Sequence, residues 1–238
     1  MKLKNFIKIL INSVGMAYPQ LIVKREFKKQ NFTWLNERPI EFEFLFRKIV
    51  EIWPKTILDV GTGITALPHM LRNCGMLVTA IDNIQDYWPE GMVNRHFFVI
   101  NDDIRKTKLN QKFDFICCIS VLEHIKDHKV AIDSMANLLN PGGVLVLTCP
   151  YGKKYVPNVY KLSNSWANRE EIPFITQSFS DAERTSWLQS GLIELIDEEY
   201  WRYSDGNFWT CGQILNKPIK VSKQELHQLC CMAFRKKT

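Results

Sequence analysis

One stretch limits the possible folds more than any other: residues 57–65, with the sequence ILDVGTGIT. An apolar run that begins at Thr56 reaches a carboxylate, Asp59, and then a loop that holds Gly61 and Gly63. Glycine permits sharp turns and lets a ligand lie against bare main chain, and a carboxylate at a strand end can hold a polar or cationic group. The stretch therefore predicts a buried strand that ends at a nucleotide-cofactor site.

Strand-like and helix-like segments alternate after residue 55. The predicted strands are about 56–60, 76–81, 97–100, 113–120, 144–149, 192–201 and 227–234. Continuous apolar runs joined by helices favour a parallel sheet that is covered on both faces. We expect an α/β fold with a doubly wound, seven-stranded, mostly parallel sheet of Rossmann-like type. Its ligand should bind at the carboxyl ends of the strands, where the strand order reverses.

The chain divides into two predicted regions. Residues 1–54 are expected to form a helical N-terminal addition, and residues 55–238 a cofactor-binding domain. Irregular segments at about 151–178 and 203–226 are predicted insertions that cap the substrate, since both contain aromatic side chains suited to stacking on rings. In the N-terminal addition, the polar and aromatic groups best placed to reach the cofactor are Thr33, Trp34, Glu37 and Arg38.

Composition limits the partners and the compartment. The net charge of +6 comes partly from basic residues at both ends, and a basic N-terminus suits peripheral contact with an anionic membrane. We expect residues 1–17 to form an amphipathic helix; a membrane-surface anchor and a signal peptide stay open. No uncharged apolar span reaches about 18 residues, so no transmembrane helix is expected. The seven cysteines lack a C-x-x-C pair, which favours free thiols in a cytoplasmic protein without a metal site.

Two cofactor classes suit the glycine loop. Gly61-x-Gly63-x-x-Ala66 matches the dinucleotide fingerprint, and Asp82 lies close to the expected distance of about 20 residues downstream. Asp59, however, would bring negative charge near a pyrophosphate, and it suits a ligand with an ammonium group better. Asp103, after the third strand, suits an adenine amino group and has no set role in the dinucleotide pattern.

Taken together, these segments resemble the ordered motifs of class I S-adenosylmethionine-dependent methyltransferases. The matching segments are Leu58–Gly63, Ile81–Asp82, Asp102–Ile104, Phe113–Asp114 with Val121–Ile125, and Leu139–Leu145. The resemblance is firm over about 55–150 and loose over the last two strands. The run after the fourth strand is similar to that of small-molecule methyltransferases, including enzymes that act on sugars and on quinone or lipid precursors.

The resemblance implies S-adenosylmethionine as the cofactor and gives roles by position. Asp59 and the Gly61–Gly63 backbone would hold the methionine part, and Asp82 would bind both ribose hydroxyls. Asp103 would accept from the adenine amino group, with Ile104 against the ring and Asp102 as the rival acceptor. The family's third loop glycine is Thr65 here, a departure that narrows the loop. The remaining predicted cofactor residues are Thr62, Asn83 and Ser120.

Methyl transfer needs alignment of a nucleophile with the electrophilic methyl group, and a hydroxyl acceptor gains from a general base. His124, which follows the fourth strand, is the first candidate base and His128 the second. We expect a small or medium-sized acceptor that is methylated on oxygen or nitrogen. The sequence does not indicate an oligomeric state.

Three further functions are compatible with the sequence. The basic ends suit a nucleic-acid or protein methyltransferase, although the motifs of DNA adenine and cytosine methylation are absent from the positions after strand four and no DNA partner is expected. The glycine loop also suits a binding module that holds the cofactor without catalysis. More remotely, it suits a nicotinamide-dependent oxidoreductase.

Overall fold

The computed structural model describes residues 2–30, 36–88, 90–167 and 174–238. The chain forms two compact units, residues 1–39 and 40–238. The first unit contains helix α1 (Lys2–Lys28), which has Pro19 in its interior. Within the described ranges, no helix is both long and apolar enough to cross a membrane.

Strands and helical segments alternate from residue 38 to the sixth strand, and the last three strands follow one another. The helices are α2 (Arg38–Ile52), α3 (Leu67–Asn73), α4 (Ile84–Tyr87), α5 (His128–Leu138) and α6 (Asp181–Leu188). The strands are β1 (Thr56–Val60), β2 (Leu77–Asp82), β3 (Ile100–Asn101), β4 (Phe113–Ile119), β5 (Leu139–Pro150), β6 (Ile193–Ser204), β7 (Ile214–Val221) and β8 (Leu229–Lys236). Short 3-10 helices occur at Ile104–Lys106, Leu122–His124 and Val159–Lys161.

The strands form one sheet in the order β3-β2-β1-β4-β5-β8-β6-β7. The first five strands in this order run parallel, whereas β8 is antiparallel to β5 and to β6, and β7 is antiparallel to β6. The chain goes from β1 outward to β2 and β3, and then returns to place β4 on the other side of β1. The carboxyl ends of β1 and β4 therefore flank the switch point, where open α/β sheets bind ligands.

Both faces of the central strands are buried. On one face, Phe113 and Leu147 pack with Trp187 of α6 in a large hydrophobic cluster. On the other face, Phe115 packs in a second cluster that includes Phe44 of α2 and Leu71 of α3. Because helices cover both faces, the central strands carry apolar side chains in both directions, and this produces the continuous apolar runs in the sequence.

The predicted α/β fold with a doubly wound, mostly parallel sheet is confirmed, but the predicted number of seven strands was wrong. In the described part of the chain the sheet has eight strands, and the missed one is β7, inside the predicted insertion at 203–226. Strand β7 lies at the sheet edge, its side chains are exposed or half-buried, and it contains Pro218. An edge strand of this kind needs no apolar run and tolerates proline.

Two strand boundaries also differ from the prediction. Strand β3 is shorter than the predicted 97–100, and Phe98 is exposed instead of paired. Strand β5 begins at Leu139, before the predicted start at residue 144, and the pairing of β4 with β5 is irregular there. The domain limits at residues 54 and 55 and the insertion at 151–178 stay predictions, and residues 168–173 of that insertion lie outside the described ranges.

Candidate cofactor-binding site

Asp59 lies buried at the carboxyl end of β1, where the sequence predicted a ligand for a cationic group. Its carboxylate accepts a hydrogen bond from the hydroxyl of Thr62 and another, at 3.4 Å, from the thiol of Cys117 on β4. Burial and the charge of Asp59 raise the pKa of Cys117 well above its usual value, so the thiol stays protonated and donates. The structure thus brings Asp59 and Thr62, two predicted site residues, together.

The loop after β1 has glycine at two positions where the backbone conformation favours it. Gly61 and Gly63 have φ angles of 72° and 52°, which other residues rarely adopt. A Cβ atom on Gly61 would lie 2.4 Å from the methyl carbons of Val121, and one on Gly63 would lie 3.4 Å from the Trp88 ring. The loop backbone is therefore bare, and it is closely flanked by the chain that follows β4 and by the segment that follows β2.

Asp82, at the carboxyl end of β2, fastens this loop to the neighbouring strand. One carboxylate oxygen accepts the backbone N–H of Gly63 at 2.8 Å, and the other accepts the indole N–H of Trp88 at 3.1 Å. Burial raises the pKa of Asp82 above its ordinary value, although these two hydrogen bonds and one from the backbone of Asn83 act in the opposite direction.

The segment after β2 covers the glycine loop with residues that the sequence analysis missed. Trp88 lies against Gly63, and the side-chain amide of Asn94 donates to the carbonyl oxygens of Gly63 and Thr65 at 2.8 and 2.9 Å. Asn83, a predicted cofactor residue, donates to Asp86 of α4 at 3.1 Å. Neither Trp88 nor Asn94 belongs to a recognisable spacing pattern, because both lie in an irregular stretch.

The two aspartates after β3 have different partners. Asp102 accepts from the Thr107 hydroxyl at 2.6 Å and from the backbone N–H of Lys108. Asp103 faces Arg105, whose Nη2 lies 2.6 Å from one of its oxygens. Burial alone would raise the pKa of Asp103, but the hydrogen bonds and charge of Arg105 outweigh burial and lower it. Both carboxylates accept hydrogen bonds from residues of the loop that follows β3. Ile104, beside them, is buried in the core.

Ser120 follows β4 at the other side of the switch point. It has a φ of 51°, its backbone N–H donates to Thr148 of β5, and its hydroxyl donates to Glu41 of α2 at 2.6 Å. Val121, the next residue, lies against Gly61. Glu41 was not expected here, because a glutamate in the first turn of a helix is usually a solvated residue that complements the helix dipole.

His124, the first candidate base, lies in the 3-10 helix that follows β4, within an aromatic cluster. Its Nδ1 is 2.7 Å from the carbonyl oxygen of Ile175. Since a carbonyl only accepts, Nδ1 carries the proton, and the neutral ring has its acceptor lone pair on Nε2. The ring packs at 5.6 Å from Tyr87 and 5.0 Å from Phe174, which also stack on each other at 5.5 Å.

The hydroxyl of Tyr87 is buried in this cluster without a hydrogen-bond partner among the described residues. Burial and the nearby charge of Glu123 raise the pKa of Tyr87 above its ordinary value, so the hydroxyl stays protonated.

His128, the second candidate base, lies in a different environment. Its Nδ1 accepts a hydrogen bond from the indole N–H of Trp187 at 2.9 Å, and its ring packs edge-on against Phe179 and Trp187. Burial lowers the pKa of His128. These contacts place His128 in the apolar layer between α5 and α6. Thr33 and Trp34, which were also considered for the site, lie outside the described residues.

The geometry defines a class of protein. A glycine loop lies at the switch point of an open, mostly parallel sheet, and carboxylates stand at the ends of β1, β2 and β3. This arrangement is that of an α/β protein that binds an adenosine-containing cofactor. Among the residues that the structure describes, no group of His, Cys, Asp and Glu is arranged to hold a metal ion.

Comparisons with known proteins identify the family. Residues 36–190 match the model of a methyltransferase domain. The chain is 26% identical to a ubiquinone biosynthesis O-methyltransferase of Coxiella burnetii over 67% of this chain and 71% of the relative. It is also 26% identical to the protein of the same name from Xylella fastidiosa, over 81% and 79% of the two chains.

A solved S-adenosylmethionine-dependent methyltransferase from Clostridium acetobutylicum has the same fold, with a TM-score of 0.54 and 16% identity, over 96% of this chain and 100% of that one. The chain therefore belongs to the methyltransferase-domain family, as a class I enzyme that depends on S-adenosylmethionine. The predicted family, enzyme class and cofactor are confirmed, whereas the roles of individual residues stay predictions.

Substitution of Gly61 by alanine tests the requirement for a bare loop. A non-glycine residue at a positive φ costs about 1–2 kcal/mol, and the new methyl group would also overlap Val121. We expect Gly61→Ala to lose measurable binding of S-adenosylmethionine in calorimetric titration. Gly75→Ala is the matched control, since Gly75 has a φ of 98° and open space around it. Equal cofactor affinity in the two variants would contradict this account of the loop.

Proposed function

We propose that this protein methylates a hydroxyl group on a small, ring-containing acceptor, with His124 as the general base. The observation that carries the proposal is the hydrogen bond from His124 Nδ1 to the Ile175 carbonyl, which leaves Nε2 as the basic atom of the neutral ring. The names of the relatives from Coxiella and Xylella support oxygen as the acceptor atom and a quinone precursor as the acceptor class.

The residues at the switch point suit the parts of the cofactor. The buried carboxylate of Asp59 would face the ammonium group, and the bare Gly61–Gly63 backbone leaves room for the methionine chain. Asp82 would bind the ribose hydroxyls, and Asp103 with Ile104 would bind the adenine. The indole N–H of Trp88 occupies one lone-pair site on an oxygen of Asp82, so we expect it to compete with a ribose hydroxyl for that oxygen.

The cofactor supplies a methyl group made electrophilic by its sulfonium. The protein would align the acceptor oxygen with the methyl–sulfur bond and remove the hydroxyl proton as the carbon–oxygen bond forms and the methyl–sulfur bond breaks, with S-adenosylhomocysteine as the leaving group. His124 Nε2 takes that proton, while the Ile175 carbonyl keeps the ring oriented and stabilises the resulting imidazolium. The aromatic rings of Tyr87 and Phe174 beside His124 offer apolar faces to a ring-shaped acceptor.

The location in the cell and the contact with a membrane are also part of this proposal. We retain a cytoplasmic location on the basis of the cysteines, which are all free thiols. We also retain peripheral membrane contact through the basic N-terminal segment, which suits an enzyme whose acceptor is apolar.

Asp82 gives a test that depends on pH. Only the ionised carboxylate accepts from two ribose hydroxyls, and the raised pKa of Asp82 means that it takes up a proton at a higher pH than an exposed aspartate. We expect the affinity for S-adenosylmethionine to fall on acidification before exposed aspartates protonate. Asp82→Asn should bind about tenfold or more weakly, without this pH dependence. An unchanged dissociation constant in the variant would refute the ribose role.

Substitution of Trp88 should strengthen the binding of S-adenosylmethionine, whereas substitution of Asp82 should weaken it. Trp88→Phe keeps an aromatic ring against Gly63 and removes the N–H that occupies Asp82. We expect S-adenosylmethionine to bind roughly three- to tenfold more tightly, because the ribose no longer competes with a hydrogen bond to a charged group. Trp53→Phe, at an exposed position, is the matched control. Weaker binding in Trp88→Phe would show that the indole holds the cofactor instead of competing with it.

The role of His124 is tested by His124→Gln, with a catechol-type probe as acceptor. We expect kcat to fall by about 100-fold or more near neutral pH, since general bases contribute on this scale, with little change in cofactor affinity. His96→Gln, at an exposed site, is the control. A comparable loss of kcat in folded His128→Gln, with His124→Gln active, would transfer the role to His128.

A further inference from the structure

Glu41 is a fully buried carboxylate in the first turn of α2. Burial of a carboxylate is unfavourable unless hydrogen-bond donors surround it. Its Oε1 accepts two short hydrogen bonds, each 2.6 Å long, from the hydroxyl groups of Ser120 and Thr148. Charge-assisted bonds of this length are among the stronger ones in proteins. The contact therefore joins α2 to β5 and to the residue that follows β4.

The same network fixes the backbone of Ser120. Its φ of 51° is a left-handed conformation that non-glycine residues keep only when surrounding contacts compensate for the strain. The Ser120 N–H donates to the carbonyl oxygen of Thr148 at 3.1 Å and to its hydroxyl oxygen at 3.0 Å. Because the Thr148 hydroxyl donates its hydrogen to Glu41, its lone pairs are turned toward the Ser120 N–H. Glu41 thus orients both groups that hold this turn.

The turn reaches the glycine loop through the next residue. Val121 fills the space beside Gly61 so closely that an added Cβ would lie 2.4 Å from its methyl carbons. A change in the Ser120 backbone would therefore move Val121 against or away from the loop. Interiors of proteins are closely packed and transmit such shifts instead of absorbing them.

We infer that Glu41 is a positioning residue of the cofactor site, which acts through Ser120 and Val121 and does not touch the cofactor. Its carboxylate holds the turn after β4 in the conformation that shapes one wall of the glycine loop. This inference rests on the proposed function, because it assumes that S-adenosylmethionine binds against that loop.

The test separates hydrogen bonding from packing and from stability. Glu41→Leu keeps the side-chain volume but removes the acceptor, whereas Glu41→Gln keeps an oxygen that can accept from both hydroxyls. Glu43→Leu is the control, because Glu43 lies on the same helix, is exposed and pairs with Arg47. Calorimetric titrations with S-adenosylmethionine are made well below the melting temperature of every variant. We expect the dissociation constant to rise about tenfold in Glu41→Leu and less than about threefold in Glu41→Gln.

A double-mutant cycle checks the route of the effect. If Glu41 acts through the Ser120 hydroxyl, Ser120→Ala will weaken binding, and its combination with Glu41→Leu will weaken it little further. Should Glu41→Leu fail to fold, Thr148→Val removes the second hydroxyl of the network and is expected to weaken binding in the same way.

The outcomes are distinguishable. A folded Glu41→Leu that binds the cofactor like wild type, with only a lowered melting temperature, overturns the inference, and so does an equal loss in Glu43→Leu. Absence of binding to folded wild-type protein overturns the proposed function instead.

Discussion

The hydrogen bond between the Asp82 carboxylate and the backbone N–H of Gly63 ties the glycine loop to the end of β2, and the geometry of the site depends on it. The loop reaches Asp82 only because Gly61 and Gly63 adopt positive φ angles. The second oxygen of Asp82 holds Trp88 over the loop, so one carboxylate fixes the loop and the segment that covers it. Because Asp82 is buried, its pKa is raised above the ordinary value.

The opposite wall depends on a second buried carboxylate. Glu41 holds Ser120 in a left-handed turn, and Val121 then closes against Gly61. The hydrogen-bond networks of Asp82 and Glu41 meet at the switch point of the sheet, because β2 and β4 lie on either side of β1. A methyltransferase needs this rigidity, because its main task is to align an acceptor atom with a methyl group already activated by the cofactor.

Features written in local sequence could be predicted, and contacts between distant residues could not. Buried parallel strands produce apolar runs, and a strand followed by Asp59, Gly61 and Gly63 marks the loop directly. Edge strand β7 has no such run and was missed. Trp88, Asn94 and Glu41 reach the site through long-range packing that leaves no spacing signal. The sequence ranked His124 above His128 by position alone, and only the fold shows that His124 meets the Ile175 carbonyl whereas His128 meets Trp187.

Parallel calorimetric titrations of the wild-type protein with S-adenosylmethionine and with NADH test the central claim most directly. We expect micromolar-range binding of S-adenosylmethionine at one site per chain and no binding of NADH, because the proposed role of Asp59 is to face an ammonium group, and its carboxylate would repel a pyrophosphate. Binding of NADH, or failure of well-folded protein to bind S-adenosylmethionine, would contradict it.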